Sequence, residues 1–212
     1  RQGDAFYGEV SAIPYITQEQ LDSCVEPLGA ILGEFTTGVL VALNGADSNC
    51  EWGTDPGAPA GSNLYGSAKL PQIRTTDYVG NSNNSYWLSD ANNPLEGFPR
   101  IMGPLGYERL QQFERTRIGH LMVAERKAAT DGLDPEPLFD LESLKGLMYN
   151  NRVHAAELVL DDVLQVCATE ELSEACAVLS GWDRKVDLDS RGAQVFVEFW
   201  EVIRGELASF QQ

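Results

Sequence analysis

The sequence predicts an α+β chain in which strands and loops come first and helices follow. Two patterns indicate this order. Short apolar runs in the first half are separated by clusters of glycine, proline, asparagine and serine, which are typical of strands and loops. Apolar residues in the second half recur at helical spacing, with polar residues between them. The composition changes near Gly106, so we predict a strand-and-loop segment over residues 1–106 and a helical subdomain over residues 107–212.

The first half is predicted to contain one helix with a defined start. Thr17 and Gln20 form a capping box, because each side chain can accept a hydrogen bond from the backbone N–H of the other. Gly33 and Gly38 interrupt an apolar run, which favours a loop over a helix there. In order, the predicted elements are a strand over 4–15 that ends at Pro14, a helix over 17–24, a loop with a short strand over 29–43, and an irregular connection over 47–66.

The second half is predicted to form a series of amphipathic helices. The last one carries the strongest apolar stripe, because Phe196, Phe199 and Trp200 recur at the spacing of one helical face. Side-chain acceptors at Asp140 and in residues 169–171 are expected to cap helices. The predicted helices cover 107–129, the stretch after Asp140, 153–166, 169–179 and 190–210.

Charge and hydropathy exclude two classes of partner. The chain of 212 residues has a formal net charge of −17, from 32 acidic and 15 basic residues. This excess of negative charge disfavours nucleic acid and anionic membrane surfaces. No run approaches the roughly 18 apolar residues of a membrane span, so membrane insertion is not expected. The sequence also has no glycine-rich phosphate loop, and we predict no cofactor.

The four cysteines are predicted to form disulfides. Four cysteines permit three pairings, and the spacing favours Cys24 with Cys50 and Cys167 with Cys176, since each pair is local. None of them has the spacing of a zinc site, so disulfides are favoured over metal. Two disulfides indicate a periplasmic or extracellular setting.

The stretch from residue 78 to residue 89 is the main candidate for a functional site. It places three asparagines and two serines between apolar residues. If a strand ends or bulges at Gly80, Asn81 and Asn83 lie on one face, where neutral amide donors can stabilise an oxyanion. A plain turn is the alternative, because asparagine tolerates unusual backbone angles. Asn83 also begins an N-x-S pattern, so it is a candidate glycosylation acceptor as well.

Other polar and aromatic residues suggest weaker candidates. We expect His120 to have a helix-surface or packing role. His154 and Glu157 have a spacing that can hold a metal, but they lack a third ligand, so a surface pair is expected and no metal site is predicted. Trp87 and Phe98 are predicted either to pack in the core or to line a ligand pocket.

Two segments resemble the signature of a known family. They are NSNNSYWLS at residues 81–89 and NPLEGFP at residues 93–99. They resemble corresponding segments of the penicillin acylase family, closest to its branch of acyl-homoserine-lactone and aculeacin acylases. The resemblance extends over nearly the whole chain. Further matching positions are GDA at 3–5, VSAIPY at 10–15, Cys24, SNCEW at 48–52, LP at 70–71, ACA at 175–177, WDR at 182–184 and LDS at 188–190.

This resemblance implies an N-terminal-nucleophile (Ntn) hydrolase, made as a zymogen and cut into a small and a large chain. In this family the new N-terminal serine of the large chain attacks an amide carbonyl, with its own α-amino group as the base. The first half of the present chain would belong to the central Ntn-hydrolase sandwich, and the helical subdomain would follow it. An exported bacterial protein, periplasmic or secreted, is implied as well.

The resemblance assigns one catalytic residue, Asn83, as the side chain of the oxyanion hole. It also implies that a pocket lined by Trp87 and Phe98 would bind the acyl chain. The family's supporting arginine would fall at residues 103–105, where this chain has no arginine, so that role is not assigned to Arg109 or Arg115 further on. The chain begins with Arg1 rather than with serine, threonine or cysteine. We therefore expect an internal fragment of the large chain that is inactive alone.

The implied partners are the small chain and the rest of the large chain of a heterodimeric acylase. The implied substrates are small amides of the acyl-homoserine lactone, aculeacin or penicillin type. Hydrolysis of acyl-homoserine lactones would make the protein a quorum-quenching enzyme. A stand-alone exported binding domain without catalytic activity is the alternative hypothesis.

Overall fold

A computed structural model describes residues 3–35, 42–103, 108–167 and 173–209. These residues contain helices and a small antiparallel sheet, which confirms the predicted α+β class. The Ntn-hydrolase sandwich stays a prediction. The strands are β1 (Ala5–Gly8) and β2 (Gln72–Thr75), and the helices are α1 (Gln18–Cys24), α2 (Pro27–Phe35), α3 (Glu114–Lys127), α4 (Leu141–Met148), α5 (His154–Cys167), α6 (Ser173–Ser180) and α7 (Ala193–Ser209).

The first strand is shorter than the sequence predicts. β1 pairs with β2 in an antiparallel register that runs from Ala5 opposite Thr75 to Gly8 opposite Gln72. Beyond Gly8 the backbone N–H groups of Val10 and Ser11 donate to the Glu9 carboxylate, at 3.1 and 2.9 Å. Because a side chain satisfies these donors, the chain does not need a neighbouring strand at this point.

Helix α1 begins as predicted, whereas the prediction of a loop over 29–43 is wrong for its first residues. The Thr17 hydroxyl accepts from the Gln20 N–H at 3.2 Å, and the Gln20 side chain accepts from the Thr17 N–H at 3.0 Å. Residues 27–35 form α2 instead of a loop. A Cβ atom added to Gly29 would lie 2.6 Å from the Ala42 carbonyl oxygen, so this glycine permits close packing rather than ending a helix. Residues 36–41 of the predicted loop lie outside the described residues.

The second half is helical, as predicted, with some differences at the boundaries. The Asp140 carboxylate accepts from the Ser143 N–H at 2.7 Å, and the Ser143 hydroxyl accepts from the Asp140 N–H at 2.9 Å, which confirms the predicted cap. Helix α3 begins at Glu114 rather than at residue 107, and Arg109 before it has the left-handed φ of 62°. The predicted cap at residues 169–171 lies outside the described residues.

The chain divides into two compact units, residues 1–120 and 121–212, and the division falls within α3. The boundary at residue 106 stays a prediction. The buried apolar residues of the first unit centre on Ile13, Tyr65, Leu70, Tyr86 and Met102. Those of the second unit centre on Ala155, Ala156, Leu160, Leu179, Trp182 and Phe196.

Both cysteine pairs that the spacing favours are disulfide-bonded in the structure. Cys24 at the end of α1 is linked to Cys50, and Cys167 at the end of α5 is linked to Cys176 in α6. Across the described residues, no helix has the length and apolar character needed to span a membrane. No three His, Cys, Asp or Glu side chains of these residues converge in a way that could bind a metal ion.

Replacing Phe196 by alanine should reduce the free energy of unfolding of the second unit by about 3–5 kcal/mol. Phe196 is 1% exposed in α7 and contacts Trp182, Phe199 and Trp200, so the substitution leaves a cavity. Denaturant titration followed by tryptophan fluorescence measures the change. Val202→Ala, at a position 64% exposed on the same helix, is the control and should change it by less than about 1 kcal/mol. Equal losses in the two variants would contradict this assignment of the core.

Candidate functional site

Residues 80–89, which we call the Asn loop, form consecutive turns and not the strand considered above. The Gly80 N–H donates to the Ser89 carbonyl at 2.8 Å and closes the base of the loop. Within it, the Asn81 side-chain oxygen accepts from the Asn83 N–H at 2.8 Å, and the Asn84 side-chain oxygen accepts from the Ser82 N–H at 3.0 Å. Asparagine side chains therefore satisfy the backbone in place of a neighbouring strand.

Asn83 lies at the exposed tip of the Asn loop, with a left-handed φ of 62°. Asn83 borders a cleft of about 280 Å³, which is also lined by Glu9, Ile13, Tyr86 and Met102. Asparagine is one of the few residue types that often adopt this backbone conformation. The loop thus places Asn83 at a cleft, although no strand positions it.

The segment at the start of α3 contacts the tip of the Asn loop. An Arg115 guanidinium N–H donates to the Asn83 side-chain oxygen at 3.3 Å, and the Asn84 amide donates to the Gln112 side-chain oxygen at 2.9 Å. Arg109, the other arginine considered, pairs instead with Glu96, with 2.5 Å between Nη2 and Oε2. The contact of Arg115 spans 32 residues of sequence, and no local pattern in the sequence predicts it.

Arg115 also determines which way the Asn83 amide is oriented. A guanidinium group can only donate hydrogen bonds, so the atom of Asn83 that faces it is the oxygen. The amide nitrogen of Asn83 makes no hydrogen bond to any residue that the structure describes. The two donors of this nitrogen are therefore available to a bound group.

His120 in α3 packs against the base of the Asn loop. Its Nδ1 atom lies 2.8 Å from the Tyr78 hydroxyl oxygen, and the ring also hydrogen-bonds the backbone of Leu88. Burial lowers the pKa of His120, although the charge of Asp90 and the bond to Leu88 act in the opposite direction. The imidazole is therefore neutral at pH 7.

Tyr7 on β1 contacts the Asn loop from the sheet. Its hydroxyl hydrogen-bonds the side chains of Ser89 and Asn81. Burial and the nearby Glu9 carboxylate raise the pKa of the Tyr7 hydroxyl, which therefore remains protonated at neutral pH. The loop is thus contacted by the sheet through Tyr7 and by α3 through His120.

Trp87 and Phe98 pack at the edge of the first unit's core. The Phe98 ring meets the Tyr86 ring edge-on, with 5.1 Å between the ring centroids, and the Trp87 indole N–H donates to Glu96 at 3.1 Å. The described residues that line the Asn83 cleft do not include either side chain. A role for these two residues in binding an acyl chain stays a prediction.

Glu108 connects three separate groups around Tyr86. Its carboxylate accepts from the Tyr86 hydroxyl at 2.7 Å and from the backbone N–H groups of Gly97 and Phe98, each at 3.0 Å. Tyr86 is almost completely buried. Sequence analysis did not identify Glu108, because its partners are distant along the chain and no motif surrounds it.

The His154–Glu157 pair in the second unit is part of an ion-pair network with Arg152. The Nδ1 atom of His154 lies 3.9 Å from the Glu157 carboxylate. That carboxylate accepts from the Arg152 guanidinium at 2.6 and 2.9 Å, and Arg152 also contacts Glu125. Hydrogen bonds from Arg152 lower the pKa of Glu157, which is therefore an ion-pair partner in the structure.

The sequence of the chain is similar to known proteins. The model of the family described as "Penicillin amidase" matches residues 1–211. The chain is 41% identical to the aculeacin-A acylase of Actinoplanes utahensis, over 93% of this chain and 26% of that protein. It is 30% identical to the acyl-homoserine lactone acylase PvdQ of Pseudomonas savastanoi pv. phaseolicola, over 89% of this chain and 23% of that protein. The chain thus spans about a quarter of the length of these relatives.

Replacing Glu108 by alanine should release the backbone of Gly97 and Phe98, because three donors lose their acceptor. A hydrogen bond to a charged group contributes about 1.5–3 kcal/mol, so exchange of these two backbone amide hydrogens should accelerate by about tenfold or more. Hydrogen exchange followed by NMR measures the rates. Glu108→Gln keeps one acceptor oxygen and should have a smaller effect. Unchanged rates in Glu108→Ala would mean that these bonds do not stabilise the segment.

Proposed function

Because the chain belongs to the penicillin amidase family, we propose that it is part of an amide hydrolase of the acylase type. Such an enzyme removes an acyl chain from an amide nitrogen. Substrates of the acyl-homoserine lactone, aculeacin or penicillin type are proposed from the resemblance, and the names of the two relatives described above support the first two. The observation that carries the proposal within this chain is the position of Asn83 at the cleft.

Asn83 is proposed to donate a hydrogen bond to the oxyanion that forms when the amide carbonyl is attacked. Two features support this role. Arg115 binds the side-chain oxygen, which leaves the amide nitrogen as the donor. The Asn81 side chain binds the Asn83 N–H and fixes the backbone at the loop tip. A donor that is already oriented does not have to reorganise as the negative charge develops, so it stabilises the transition state efficiently.

The nucleophile is proposed to be the N-terminal serine of the complete large chain, upstream of Arg1. The remaining parts of a heterodimeric acylase are then the partners, and the 212-residue chain alone is expected to be inactive. The two disulfides support an exported, periplasmic or secreted protein. Quorum quenching and synthesis as a zymogen belong to the same proposal.

The surface of α4 favours this proposal over a stand-alone binding domain. Leu141, Leu144 and Met148 lie on one face of the helix and are 65%, 46% and 65% exposed. An apolar stripe of this kind usually meets another protein surface. A larger acylase would supply such a surface, in line with relatives about four times as long as the chain.

Replacing Asn83 by alanine in the complete acylase should lower kcat by about 10²–10³-fold with little change in KM, because the lost bond forms mainly in the transition state. Hydrolysis of an acyl-homoserine lactone, aculeacin and penicillin would be measured. Asn92→Ala, an exposed asparagine beyond the Asn loop, is the control and should leave kcat unchanged.

A properly matured Asn83→Ala enzyme with the kcat of the parent would overturn the oxyanion role. Intact mass at the same time tests whether Asn83 carries a glycan, which would block the amide nitrogen. Turnover by the purified 212-residue chain alone would contradict the proposed position of the nucleophile.

A further inference from the structure

The Asn loop has two arms that meet at its base. The incoming arm arrives through Tyr78 and the outgoing arm leaves through Leu88 and Ser89. One backbone hydrogen bond, from Gly80 to Ser89, joins the arms directly. Side-chain contacts near the base therefore add to this bond in fixing the position of the loop tip, and one of them is the Tyr7 hydroxyl, which bonds Asn81 and Ser89.

His120 contacts both arms near this base. Its Nδ1 atom is 2.8 Å from the Tyr78 hydroxyl on the incoming arm, and its ring hydrogen-bonds the backbone of Leu88 on the outgoing arm. The ring also lies against Gly80, since a Cβ atom added there would be 3.6 Å from the His120 Cε1 atom. The imidazole is therefore a further connection between the arms, beside the backbone bond and the Tyr7 hydroxyl.

A neutral imidazole suits this position because its two nitrogens differ. One nitrogen donates and the other accepts, and they lie on different sides of the ring. The bond with the backbone of Leu88 favours the protonated ring, so it is one in which His120 donates. The Tyr78 hydroxyl is the hydrogen-bond partner of Nδ1. Asparagine or glutamine can reproduce one of these bonds, whereas phenylalanine keeps the ring volume and makes neither.

The same segment of α3 reaches the tip of the loop. Arg115 hydrogen-bonds Asn83, and a Cβ atom on Gly119 would lie 3.9 Å from the Ser82 hydroxyl. His120 and Arg115 belong to one helix, so the same rigid element contacts both the base and the tip of the Asn loop. A shift of the arms relative to α3 would therefore move Asn83 relative to Arg115.

We infer that His120 is a positioning residue for the acylase reaction, which acts by connecting both arms of the Asn loop and so fixing the Asn83 amide in the cleft. The inference rests on the proposed function. His120 does not line the cleft and is not assigned any contact with substrate. Its effect on the reaction would pass through Asn83 alone.

The test compares variants of the complete acylase, with kcat expressed per active site after titration of the nucleophile. His120→Phe should lower kcat by about tenfold or more with KM within about twofold, because small displacements of a positioned group are costly in the transition state. His120→Asn and His120→Gln should each recover part of the loss. Leu121→Ala, the next residue along α3, is the control and should match the parent enzyme.

A double-mutant cycle separates positioning from a general loss of structure. If His120 acts through Asn83, His120→Phe should have no further effect on kcat in an Asn83→Ala background. An equal fold-loss in both backgrounds would overturn the inference while leaving the proposed function intact. Full kcat in Asn83→Ala alone would overturn the proposed oxyanion role of Asn83, on which this inference rests.

Tyr78→Phe provides a second route if His120→Phe does not mature. It removes the hydrogen bond between the His120 ring and the hydroxyl of residue 78, and it keeps both aromatic rings. We expect a loss of kcat of about threefold to tenfold that disappears in the Asn83→Ala background, since both changes act on the same group. Full kcat in Tyr78→Phe, or a loss that persists in that background, would overturn the inference.

Discussion

A backbone N–H group that is not hydrogen-bonded within a strand or a helix needs another acceptor. This constraint dominates the first unit. Its described sheet has two short strands, so long irregular segments surround the Asn loop. Carboxylates supply the acceptors at several points. Glu9 binds Val10 and Ser11, Asp55 binds Gly57 and Gly66, Asp90 binds Asn92 and Asn93, and Glu108 binds Gly97 and Phe98.

This use of carboxylates gives part of the strong negative charge a structural purpose. Hydrogen bonds from Gly57 and Gly66 lower the pKa of Asp55, so the ionised form stabilises the folded backbone above the normal pKa range of aspartate. In the second unit, arginines have the corresponding role. Arg152 joins Glu125 to Glu157, and the buried Arg126 donates to backbone carbonyls at Asp134 and Glu136.

The parts of the fold that could be predicted from the sequence are those with local causes. The caps at Thr17 and Asp140 and the apolar stripe of α7 depend on residues a few positions apart. Helix α2 was missed because Gly33 and Gly38 were interpreted as interruptions that favour a loop, whereas residues 27–35 are helical and Gly29 among them makes a close contact with Ala42. The strand considered at the Asn loop was wrong because asparagine side chains satisfy the backbone there.

The candidate site also has parts that could be predicted from the sequence and parts that could not. Asn83 was identified by resemblance, but its partner Arg115 and the contact of His120 with Tyr78 span 32 and 42 residues of sequence. The backbone of Asn83 itself has a wider consequence. A φ of 62° is adopted more readily by glycine, asparagine and aspartate than by most residue types. In the proposed role glycine would lack a side-chain donor and aspartate would repel an anion, whereas asparagine combines a tolerated backbone conformation with a neutral donor.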